Sequence, residues 1–327
     1  MVDPALPLGP GSRGEAVRDV QRRLAALGYG VDDVDGGTFG PLTEEAVRGF
    51  QQSRRLRVDG ICGPDTWNAL VEAGYGLGDR FLYHRTPMLR GDDVAQLQSD
   101  LGALGFDAGR VDGIFGPDAA RALQEFQRNS GLTADGICGP DTVSALRRLA
   151  GRRAGPTSVA QAREVQALRD APRHLADRRI VLGVPGTLDA LADRIQTLLS
   201  DAGAVVTVLH AADGSAQARE ANDLSAELYV GLRLVPEATC RVAFYATEGF
   251  ESVGGRRLAE LSAKELGTVL DQEGESAGMR LPVLRETKMP AVLCSLGPVE
   301  DVVLHAGALA ASLAGSVTEW VEHRLDD

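Results

Sequence analysis

Apolar positions in the first 150 residues recur at helical spacing in short runs. Val17, Val20, Leu24 and Leu27 fall on one face, and Gly28 follows as a stop signal. Asp35-Gly36 predicts a turn, in which Asp can accept from backbone N–H groups and Gly can take a positive φ. Thr43 is expected as the N-cap of a second helix with Glu44 and Glu45 in its first turn, and Ala46, Val47 and Phe50 form its inward face. Asp59-Gly60 predicts a second turn, after which Pro64, Asp65 and Thr66 open a third helix carrying Trp67 and Leu70. Beyond residue 178 the pattern changes. Short β-branched or continuously apolar runs at 180–184, 204–209, 228–230, 241–246 and 291–296 predict strands. Helical spacing over 188–199, 215–226, 255–271 and 300–323 separates them. Such alternation predicts an open, mainly parallel sheet covered by helices.

The helical half repeats itself. Arg13-Gly14, Val17, Leu24 and Leu27-Gly28 match Arg90-Gly91, Val94, Leu101 and Leu104-Gly105 without a gap. Asp35-Gly36 then matches Asp112-Gly113, Phe39-Gly40-Pro41 matches Phe115-Gly116-Pro117, and Phe50-Gln51 matches Phe126-Gln127. The longest identity runs from Asp59 to Thr66 against Asp135 to Thr142, Asp-Gly-Ile-Cys-Gly-Pro-Asp-Thr in both. A duplication of this kind predicts two copies of one three-helix module.

The ordered elements of each copy resemble the peptidoglycan-binding domain family found beside cell-wall hydrolases. The resemblance implies affinity for peptidoglycan fragments or precursors. It makes Asp35, Gly36, Phe39, Asp59, Gly60 and Thr66 candidate ligand contacts in the first copy, and Asp112, Gly113, Phe115, Asp135, Gly136 and Thr142 in the second. Most of these are turn and cap residues, so the fold explains them before binding does. The residues leave open whether a module takes a sugar, a peptide stem or a protein.

Composition narrows the partners. Lys plus Arg total 34 against 46 Asp plus Glu, a net charge of −12, which argues against nucleic acid as the main partner. No apolar run reaches the ~20 residues that span a bilayer, and Met1 to Pro7 has neither the basic nor the apolar region of a signal peptide. The expectation is a cytoplasmic chain. Cys62, Cys138, Cys240 and Cys294 form no C-x-x-C pair and are expected as reduced, buried thiols. The expected boundaries are 1–76 and 77–150 for the two modules, 151–178 for an Arg-rich linker in which 159–168 can form a short polar helix, and 179–327 for the α/β domain.

The α/β half resembles the zinc N-acetylmuramoyl-L-alanine amidases of the type 3 class. The carrying residues are Arg219-Glu220-Ala221-Asn222, Gly254-Gly255-Arg256-Arg257-Leu258-Ala259, and Leu284 to Leu293. The whole arrangement, including Leu77 to His84 between the copies, is similar to the CwlM group of actinobacterial proteins. The amidase resemblance implies a zinc ion on His, Glu and His with a Glu general base. Here the first-ligand loop reads Gly183-Val184-Pro185-Gly186-Thr187, Asp189 is the acid nearest the second position, Arg233 stands at the third, and Ser295 stands at the base. An arginine does not ligate zinc and a serine is no general base at neutral pH. The other histidines do not rebuild the site: His305 and His323, on one predicted helix, lie about 27 Å apart at ~1.5 Å per residue. Gly186, Arg233 and Ser295 are therefore expected as degenerate positions, with no metal, no cofactor and no catalysis, and Arg233 as a candidate anion contact. Resemblance to the CwlM group further implies a regulator of peptidoglycan precursor synthesis. Its implied partners are the UDP-N-acetylglucosamine enolpyruvyl transferase and a serine/threonine kinase. The alternatives are an active amidase with a rebuilt site, an exported wall-binding protein, and a scaffold whose modules take no ligand.

Overall fold

The computed structural model describes residues 6–31, 37–149, 159–184, 186, 188–247 and 250–323. The chain divides into two compact units, Met1–Ala160 and Gln161–Asp327.

The first unit holds both copies of the repeat. Copy one contains α1 (Glu15–Ala26), α2 (Pro41–Ser53) and α3 (Pro64–Glu72). Copy two contains α4 (Asp92–Ala103), α5 (Pro117–Asn129) and α6 (Pro140–Leu149). Helices α2, α3 and α5 each start at a proline preceded by an extended glycine. Proline suits the first helical position because it lacks the N–H that would be unpaired there, and its fixed φ is already helical. Helix α2 therefore begins two residues before Thr43, and Gly40 occupies its N-cap. Thr43 is not the cap that its position suggests: it is fully buried, with its hydroxyl accepting from Gln21 Nε2 at 3.0 Å. Each copy has its own core. Val17, Leu24, Val47, Phe50 and Leu70 centre the first, and Val94, Leu101, Leu123 and Phe126 the second.

The second unit is a sheet with helices on both faces. It contains α7 (Val159–Asp170), β1 (Arg179–Gly183), α8 (Asp189–Asp201), β2 (Val205–Leu209), α9 (Gly214–Asp223), β3 (Leu228–Leu234), β4 (Thr239–Thr247), β5 (Phe250–Glu251), α10 (Val253–Leu270), β6 (Gly274–Met279), α11 (Pro282–Glu286), β7 (Ala291–Gly297), α12 (Val299–Leu304) and α13 (Ala306–Glu322). The strand order is β2-β1-β3-β7-β4, with β5 and β6 both pairing β4. Strands β2, β1, β3 and β7 run parallel, and β4 is antiparallel to β7. One sheet face carries Leu182, Val230, Val242 and Cys294 into a core shared with α8, α10 and α13.

Three local expectations change. Residues 161–178, expected as linker, belong to this unit. Leu168 and Leu175 are buried in its core, and Arg178 pairs with Glu227 at 2.6 Å. Residues 151–158 of that expected linker lie outside the described residues. The final helix is two, broken at His305, whose ring nitrogen lies 2.9 Å from the Asp301 carbonyl. Strand β6, with its Gly-Glu-Ser-Ala-Gly-Met sequence, has no counterpart among the expected strands.

Glu164 of α7 shows why the segment docks. Its carboxylate accepts from Ser252 Oγ at 2.6 Å and from the Val253 and Gly254 N–H groups at 3.3 Å, at the N-terminus of α10. Those amides have no intrahelical acceptor, and the helix dipole favours an anion beside them. Glu164→Ala is expected to destabilise this unit by about 1–2 kcal/mol in urea unfolding, the size of a lost N-cap. A change below about 0.3 kcal/mol would contradict that role.

Candidate functional site

The turn motifs are built around buried glutamines. Gln51 Nε2 donates to Asp59 Oδ1 at 2.8 Å, to the Ile61 carbonyl at 3.0 Å and to Thr66 Oγ1 at 3.1 Å. Its Oε1 accepts from the Asp59 and Gly60 N–H groups at 3.1 and 2.9 Å. Gln127 repeats this on Asp135, Ile137, Thr142 and the Gly136 N–H. Gln98 does the same on Asp112, Ile114 and the Gly113 N–H. Each Asp also closes its own turn by accepting from the N–H two residues on. The Ile137 N–H, followed by the Gln127 side chain, holds the Asp135 carboxyl below the usual carboxylate range. Gly60, Gly113 and Gly136 have φ between 71° and 75°, the left-handed region in which glycine avoids the Cβ penalty.

This geometry sorts the expected contacts. Asp59, Asp112 and Asp135, with Thr66 and Thr142, hold the turns. Phe39 and Phe115 are core residues, 2% and 0% exposed, and offer a ligand no surface; this corrects their reading as contacts. A phenyl ring after a turn reads the same in sequence whether it points in or out. Asp35 and Gly36 lie outside the described residues. The cysteines are free and buried, and burial, with a smaller contribution from nearby acids, pushes Cys62 and Cys138 up to about 12. In the second copy a groove of about 500 Å³ opens over the turn, with Asp135, Thr142 and Ile137 in its lining beside Phe81 and Tyr83. Neither aromatic was among the expected contacts.

In the α/β unit the carboxyl ends of the parallel strands bring Arg233 and Ser295 together. They are register partners on β3 and β7, and Arg233 donates to Ser295 Oγ from Nη2 at 2.8 Å and from Nε at 3.2 Å. Ser295 also faces Arg241 of β4, which faces Glu275 of β6. Directly paired residues share a sheet face, so these four side chains form one row across four strands. Arg241 Nε meets Glu275 Oε2 at 2.8 Å. Gly186 is exposed after β1 with φ 85°, apart from this row in sequence and without a side chain to join it. Asp189 pairs at 3.3 Å with His210, both well exposed. The donor set of the row, two guanidinium groups, a hydroxyl and an exposed carboxylate, does not fit zinc. Among the described residues no three His, Cys, Asp or Glu side chains cluster as a metal site. None of the described helices is long and apolar enough to cross a membrane. Away from the row, Asn222 donates to the Glu286 carbonyl and accepts from the Lys288 N–H, both at 2.8 Å. Two of the stretches that carried the amidase resemblance thus meet as a structural tie.

A family model described as "Putative peptidoglycan binding domain" matches residues 13–70 and 90–146. The N-acetylmuramoyl-L-alanine amidase CwlM of Mycobacterium tuberculosis is 43% identical over 155 residues, which cover 44% of this chain and 38% of CwlM. The N-acetylmuramoyl-L-alanine amidase CwlL of Bacillus licheniformis is 35% identical over 153 residues, covering 39% of this chain and 41% of CwlL. The chain therefore spans about two fifths of the length of these curated relatives. A solved N-acetylmuramoyl-L-alanine amidase from Clostridium difficile 630 aligns with 45% of this chain and 98% of its own, at 16% identity and a TM-score of 0.37. Each duplicated module thus matches the family model for a putative peptidoglycan binding domain, and the chain is similar to CwlM over less than half of its length.

Proposed function

We propose that this chain is a non-hydrolytic, cytoplasmic regulator of peptidoglycan precursor synthesis, which senses peptidoglycan fragments or precursors through its helical domains and acts through protein contacts. The observation that carries this reading is the Arg233–Ser295 pair. At the strand ends where open α/β sheets place their ligands, Arg233 donates to Ser295. A guanidinium there favours an anion over a metal. The UDP-N-acetylglucosamine enolpyruvyl transferase, and control by a serine/threonine kinase, are proposed as partners from the similarity to the CwlM group. The duplicated domains support the ligand class.

The test pairs two measurements on the full chain. Incubated with zinc and muropeptides, it is expected to release no peptide above the buffer rate, while adding it to the transferase is expected to change the transferase rate. Stoichiometric zinc together with released peptide would overturn the reading.

A further inference from the structure

We infer that the groove of the second helical domain is a glycan site, in which Phe81 and Tyr83 stack on an uncharged N-acetylated pyranose, and that the first domain lacks this site. The inference rests on the peptidoglycan-binding reading and narrows it to one domain and one part of the polymer.

Phe81 and Tyr83 flank Leu82, which forms an antiparallel bridge with Cys138. The Cys138 N–H donates to the Leu82 carbonyl at 2.8 Å and Leu82 is fully buried. Residues i and i+2 of an extended segment share a face, so anchoring Leu82 inward turns both rings outward. They are 58% and 40% exposed, the most exposed aromatic side chains among the described residues. In a chain with 5% aromatics, two exposed rings on one groove are a concentrated apolar surface. Ile137, 39% exposed, adds to it.

The first domain has the same bridge, between Leu8 and Cys62. There the flanking residues are Pro7 and Gly9, so the frame is present and both rings are absent. The glycine after the cysteine records the difference. A Cβ at Gly139 would stand 2.9 Å from the Phe81 ring, whereas a Cβ at Gly63 would meet nothing within 4 Å. Gly139 thus gives the Phe81 ring room to lie against the backbone, and the matching space in the first domain is open.

The polar lining selects the ligand's charge. Thr133, Asp135 and Asp141 line the groove, and no Lys or Arg is among the described residues that line it. Carboxylates accept from sugar hydroxyls and acetamido N–H groups and repel phosphate and carboxylate. The electron-rich ring faces attract the C–H face of a pyranose. Pockets that combine aromatic walls with a few placed polar groups suit a neutral ring better than a charged peptide stem.

The test is calorimetric titration of the full chain with a β-1,4-linked N-acetylglucosamine tetramer and, separately, with a stem peptide. Phe81→Ala/Tyr83→Ala is expected to weaken tetramer binding at least tenfold without moving the melting transition, since both rings are exposed. Leu42→Ala, an exposed apolar change in the first domain, is expected to leave it unaltered. Full tetramer affinity in the double variant would overturn the inference, as would binding of the stem peptide alone. The second outcome leaves the peptidoglycan-binding reading standing. That reading falls separately if the full chain is not retained by isolated sacculi.

Discussion

Gln51→Ala is expected to open the first helical domain, lowering its stability by about 3 kcal/mol. The wild-type side chain makes five hydrogen bonds, three donated and two accepted, to groups spread from Asp59 to Thr66. Gly60 is buried, so its N–H gains no water when Oε1 is removed. A buried donor or acceptor left unpaired costs about 1–3 kcal/mol. Thr66 Oγ1, 4% exposed with its residue, loses its donor in the same step. The turn then no longer fixes where α3 begins, and α3 carries Trp67 and Leu70 into the core. Amide hydrogen exchange over residues 41–72 reads the effect, since about 1.4 kcal/mol corresponds to tenfold, giving roughly a hundredfold faster exchange. Gln51→Glu sharpens the test: it keeps an acceptor for Gly60 but sets a second carboxylate against Asp59 Oδ1, and is expected to be at least as disruptive. Protection within about threefold of wild type in both variants would show that the turn closes without the glutamine.

The duplication, the three helices per copy and the alternation of the α/β unit were legible in the sequence because they are local. Period, turn glycines and Gly-Pro starts all act within a few residues. The glutamine hub was visible only as half of a Phe-Gln match. Its meaning depends on the chain folding back over the eight positions from Gln51 to Asp59, which no periodicity records. The same limit hides Phe81 and Tyr83: the sequence shows them only as part of the stretch Leu77 to His84, and the bridge to Cys138 turns them toward the second turn. Glu164 sat in a stretch whose arginines suggested a solvated linker, and its partners lie almost 90 residues ahead. At the strand ends, placing Arg233 and Ser295 by resemblance put both at one site, and the β3–β7 register brings them into contact. Their neighbours Arg241 and Glu275 were missed, since the row that joins them runs across strands and not along one.

Gly274→Ala is expected to be the most damaging single-methyl change in the α/β unit. A Cβ at this position would stand 1.8 Å from the Ala263 carbonyl oxygen and 2.5 Å from its carbon. Both are backbone atoms of α10, so no rotamer change relieves the clash. Gly267 faces the same contact, where a Cβ would meet the Gly274 nitrogen at 2.7 Å. Helix and strand therefore touch backbone to backbone, and β6 holds its place by that approach together with its parallel pairing to β4. This explains why β6 escapes the sequence pattern: close packing demands glycine where strand propensity favours a β-branched residue. Overpacking of a well-fitted interior costs about 1–3 kcal/mol and more where backbone must move. For a unit of this size about 3 kcal/mol lowers the melting temperature by roughly 10 °C. Calorimetry on the full chain should show the transition of this unit falling by that amount while the transition of the helical unit stays in place. Ser276→Ala, an exposed site on the same strand, should move neither. A Gly274→Ala transition within about 2 °C of wild type would mean that α10 and β6 are not in backbone contact. The row from Arg233 to Glu275 would then lose its last strand, because Glu275 is placed against Arg241 only through the register that this contact supports.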